Sequence, residues 1–130
     1  MNFPRIAFTI LFSLSLLAIT GVSAADDKVS AATRTMAEIM ISLHHYPSDA
    51  DKDKLKMLAA EASTSNHEKV IAQALLNLKH KPADADKPKL QAITKDAAAP
   101  AAVKSLASIL LSLNHQPTDA DTAELQRITK

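Results

Sequence analysis

An all-α fold is predicted, built as three stacked 35-residue helical hairpins that form a short α-solenoid or right-handed six-helix array. Three observations predict it. The segment HxPxDAD recurs at a fixed interval of 35 residues, at 45–51, 80–86 and 115–121, which marks a copied supersecondary unit. Apolar residues ahead of each copy follow helical spacing. A proline inside each copy (Pro47, Pro82, Pro117) lacks an N–H, pushes its predecessor out of helical geometry and stops the helix near the His.

Taken in chain order, residues 1–24 read as a signal peptide: Arg5, an apolar run from Ile6 to Ile19, then Val22-Ser23-Ala24 with small residues where the leader is cleaved. The run is shorter than the ~20 residues a membrane span needs, and no Cys near the cut offers a lipid anchor. Residues 25–30 form a lead-in, with Ser30 suited to cap the first helix. Three units follow at 31–65, 66–100 and 101–130, the last one truncated.

Each unit begins with an inner helix whose apolar stripe is Met36, Ile39, Met40 and Leu43, then Ile71, Ala74, Leu75 and Leu78, then Leu106, Ile109, Leu110 and Leu113. Ala37, Ala72 and Ala107 are small enough for close helix crossings. A narrower, more polar second helix carries Leu55, Leu58 and Ala62, then Leu90, Ile93 and Ala97, then Leu125 and Ile128. Ser65 and Glu68 have capping-box spacing, and Pro88 and Pro100 suit first turns. The period is near that of tetratricopeptide repeats, but the Trp, Gly, Tyr and Phe positions of that signature are missing, so the class is assigned and no family. A core of Leu, Ile, Met and Ala at this length implies roughly 5 kcal/mol of stability. The truncated last helix is expected to expose apolar surface and favour self-association.

Composition excludes several functions. Beyond residue 24 the chain has 106 residues, no Gly, Trp or Cys, one aromatic (Tyr46) and 14 basic against 14 acidic side chains. A neutral balance gives no field to displace counterions, so no nucleic acid is expected, and no membrane after leader cleavage. Absence of Gly removes the usual phosphate-cradling loops, and absence of Cys removes thiolate chemistry and disulfides.

The repeated acids, Asp49 and Asp51, Asp84 and Asp86, Asp119 and Asp121, sit where a helix begins and suit capping, with Asp86 favoured over Asp84 in the middle unit. An EF-hand reading fails, because Lys54 stands at the sixth position and Ala60 at the twelfth. For His45, His80 and His115 the structural reading is a positive-φ residue closing the helix, a role for which no Gly is available. Imidazole paired with Asp would also make stability pH-dependent. The chemical reading is a Cu or Zn site formed by each His with its two Asp carboxylates. Helices about 8 to 10 Å apart would let two neighbouring His share an ion and leave the third out of reach. His44 and His67 read as solvated surface and Tyr46 as packed on its own hairpin.

Repeats without catalytic chemistry point to an exported, periplasmic or secreted, non-enzymatic module that binds a protein partner of unknown identity. The alternative is a periplasmic divalent-metal binder using the HxPxDAD turns.

Overall fold

The computed structural model describes residues 28–130; the expected leader at 1–24 and residues 25–27 of the lead-in lie outside the described residues. Six helices and no strand occur among the described residues: α1 (Ala31–Ile41), α2 (Asp49–Ala60), α3 (Asn66–Leu76), α4 (Lys87–Lys95), α5 (Ala101–Ser112) and α6 (Asp119–Thr129). None is long and apolar enough to cross a membrane.

Local chemistry sets the helix starts. Ser30, Ser48, Ser65 and Thr118 each accept a backbone N–H three residues on, and Ser65 with Glu68 and Thr118 with Asp121 form full capping boxes. The middle unit has Ala83 at the equivalent position and no hydroxyl to offer. There α4 starts later, with Pro88 in its first turn and Asp86 at the cap position. Asp86 makes no capping bond; its buried carboxylate accepts from Asn77 Nδ2 at 2.9 Å instead. Pro100 lies one residue before α5 rather than in it. Ala62 and Ala97 fall past the ends of α2 and α4 and are exposed.

The closest helix pairs are α2 with α3, α4 with α5, and α6 with α1. Tight packing therefore joins the second helix of one unit to the first helix of the next. The five-residue links 61–65 and 96–100 close two of these pairs. The HxPxDAD turns, expected to close hairpins, instead connect one tight pair to another. The α1, α3 and α5 helices also touch one another, whereas α2, α4 and α6 do not.

An open solenoid would hold its first and last units apart. Here α6 packs on α1, so the three units close into a ring around α1, α3 and α5. The truncated third unit thus exposes no apolar stripe: Leu125 and Ile128 are buried, which removes the packing basis expected for self-association. The predicted inner stripes, from Met36 to Leu113, are all at most 5 % exposed. Ala37, Ala72 and Ala107 are fully buried on the three helices that meet.

At the N-terminal end of these helices, Thr33, Glu68 and Val103 occupy equivalent positions and are buried. The Glu68 carboxylate accepts from the Ser30 hydroxyl, from Thr33 Oγ1 at 2.7 Å and from the Ser65 N–H at 2.9 Å. Burial is the largest single influence and pushes its pKa up, but the hydrogen bonds from Ser30, Thr33 and Ser65 together outweigh it and hold the carboxyl below its ordinary value.

Candidate metal centre

Because the inner helices run side by side toward the same end, their C-termini deliver the three HxPxDAD turns to one place. His45, His80 and His115 meet there. Their Nδ1 atoms are separated by 3.3 Å (His45 and His80), 3.1 Å (His80 and His115) and 3.2 Å (His45 and His115). Ring centroids lie 5.0 to 5.3 Å apart with interplanar angles of 61 to 90°, so the rings meet edge-on and do not stack. All three residues are exposed, and Leu43, Leu78 and Leu113 are buried two positions earlier in the chain.

The backbone is committed to this arrangement. The His80 N–H donates to the His45 carbonyl at 2.9 Å, and the His115 N–H donates to the His80 carbonyl at 2.7 Å, which ties the turns in series. His80 and His115 have φ of 63° and 72°. In each case the residue after the His donates its N–H to the carbonyl of the residue before it: Lys81 to Lys79 at 2.6 Å and Gln116 to Asn114 at 2.9 Å. These are γ-turns of the rare positive-φ type, and such strain costs about 1 to 3 kcal/mol per residue. The positive φ expected at the His is thus found at two of the three, but not as a helix terminator. The helices end three or four residues earlier, at Ile41, Leu76 and Ser112.

Three mutually close imidazole nitrogens cannot all be satisfied by one another. A ring nitrogen carries either a proton or a lone pair toward a given partner, never both. In a triangle of three, at least one contact must then oppose two lone pairs or two protons. A cation accepting all three lone pairs removes the conflict. For ligand bonds of about 2.0 to 2.1 Å, tetrahedral angles require nitrogens about 3.3 Å apart and right angles about 2.9 Å. The observed 3.1 to 3.3 Å lies nearer the tetrahedral value.

Electrostatics around the triangle are mixed. The α1, α3 and α5 helices end three or four residues before the imidazoles and carry no basic residue in their last turns, and the negative end of a helix dipole favours a cation. Lys79 and Lys81 flank His80 and are exposed, which opposes one.

The carboxylates stand apart from the imidazoles. Among the described residues, the group of donors close enough to share an ion is His45, His80 and His115, with no Asp. Asp51 and Asp121 accept from Ser48 and Thr118, and Asp86 from Asn77. Asp49 pairs with Lys52 at 3.3 Å and Asp84 with Lys87 at 2.6 Å, while Asp119 is exposed in the first turn of α6. One His with two Asp per turn is therefore not the arrangement formed. The third His, expected to be out of reach, is brought in by ring closure.

Of the other singled-out residues, His67 Nε2 lies 2.8 Å from Asp96 Oδ2 and helps to link α3 to the 96–100 loop. The Ala98 N–H, and after it this His67 contact, hold the Asp96 carboxyl below its ordinary range. His44 is exposed. Tyr46 is 59 % exposed, with Lys52 Nζ 5.4 Å from its ring centroid. No protein-family model, no curated protein and no solved structure matches this chain.

Proposed function

We propose that this protein binds one divalent transition-metal ion per chain, through Nδ1 of His45, His80 and His115, and acts as a metal-binding protein rather than an enzyme. The observation that carries the reading is the nitrogen triangle of 3.1 to 3.3 Å, whose contacts have no mutually satisfying proton assignment. Zinc is the best match, since it takes imidazole nitrogen and tetrahedral geometry. Copper(II) binds imidazole strongly but prefers a tetragonal field. The leader-like residues 1–24 support export, so the ion would be bound in the periplasm or outside the cell.

Calorimetric titration of zinc and copper into the protein, alongside the triple variant His45→Gly, His80→Gly, His115→Gly, tests this. Wild type is expected to take up one zinc ion per chain and the variant none. Three equivalent weak sites, or no uptake by wild type at neutral pH, would refute it. A second reading, docking to a protein partner, draws support from Tyr46, an exposed aromatic beside His45 that the equivalent Lys81 and Gln116 do not repeat.

A further inference from the structure

We infer that the bound ion keeps its fourth coordination position for a small monodentate anion from solution, so that metal and anion are held together. This rests on the three-His reading. Three nitrogens supply three corners of a tetrahedron, and a site closed by only three protein ligands takes its fourth from outside. Nitrogens about 3.2 Å apart leave a tetrahedral ion about 0.9 Å out of their plane, so one side of it is uncovered. The imidazoles are exposed, and among the described residues no carboxylate belongs to the donor group.

Charge selects the ligand class. Three neutral imidazoles leave both positive charges of the ion uncompensated, and Lys79 and Lys81 add to the field beside His80. The nearest acids by sequence stand outside the donor group: Asp49 pairs with Lys52, Asp84 pairs with Lys87, and Asp119 is exposed in the first turn of α6. An anion from solution thus gains on both counts over a neutral donor.

Cobalt(II) replaces zinc as a visible probe. The protein is loaded with one equivalent of cobalt(II) and titrated with azide while the absorption spectrum is followed. The intense bands of a four-coordinate ion are expected, shifting saturably with one azide per cobalt. In the double variant Lys79→Gln, Lys81→Gln azide affinity is expected to fall several-fold while cobalt affinity rises. Cobalt bound one per chain with a spectrum that azide leaves unchanged would overturn the inference and mean that a side chain of the protein fills the fourth position. Failure of cobalt to bind at all would instead remove the three-His site itself, a separate and distinguishable result.

Discussion

His80 and His115 have a backbone better suited to glycine, yet both carry imidazole. Relief of that strain roughly offsets the extra freedom glycine gives the unfolded chain. The metal-free triple His→Gly protein is therefore expected to match wild type within about 1 kcal/mol in urea unfolding. Zinc at a hundredfold excess over its dissociation constant should add about 2.7 kcal/mol to wild type alone. The flanking lysines act in the opposite sense. A unit charge roughly 8 Å from a divalent ion costs about 1 kcal/mol in water, so the Lys79→Gln, Lys81→Gln protein should bind zinc several-fold more tightly at low salt, with the gain shrinking as salt rises. Glu68 governs the acid side. Its folded pKa lies below the ordinary value of about 4.5, so its contribution is complete above that pH and is lost as pH falls through the folded value. Thermal unfolding of wild type should weaken below about pH 4.5, and Glu68→Gln should start lower and lose less over that range.

Helix chemistry was largely legible in the sequence. Ser30, Ser65 with Glu68, and Pro88 all act where spacing put them, because capping depends on three or four adjacent residues. The Asp residues were legible as helix-start groups but not in detail: Ser48 and Thr118 provide the caps, and Asp51 and Asp121 answer from the third position. Replacing Thr118 by Ala should cost about 1 kcal/mol, whereas Ala83→Ser should add little, since α4 begins at Lys87. Leu78 lies 2 % exposed next to the His80 turn. Leu78→Ala is expected to cost roughly 2 to 5 kcal/mol and to weaken zinc binding, as calorimetry on the remaining folded protein would register.

Ring closure is what the sequence did not disclose. A 35-residue period specifies how one unit meets the next, and an open stack and a closed ring share that neighbour contact. The difference lies in the angle between successive units, which side-chain sizes at Ala37, Ala72 and Ala107 influence but do not spell out. Once three turns complete the circle, the His triangle follows without any further motif. Closure also means that the first and last helices of the described residues are adjacent in the packing, with α6 on α1. A permutant that joins the end of α6 to Ser30 by a short linker and opens the chain within 61–65 should fold and bind zinc like the parent. Deleting α6 should unfold the whole molecule, as loss of its far-ultraviolet helical signal would reveal.

The sharpest test is anomalous diffraction at the zinc edge from crystals grown with one equivalent of zinc. A single peak bonded to Nδ1 of His45, His80 and His115 at about 2.1 Å is expected. Peaks at separate turns, or at the Asp pairs with the imidazoles apart, would contradict a shared three-His centre.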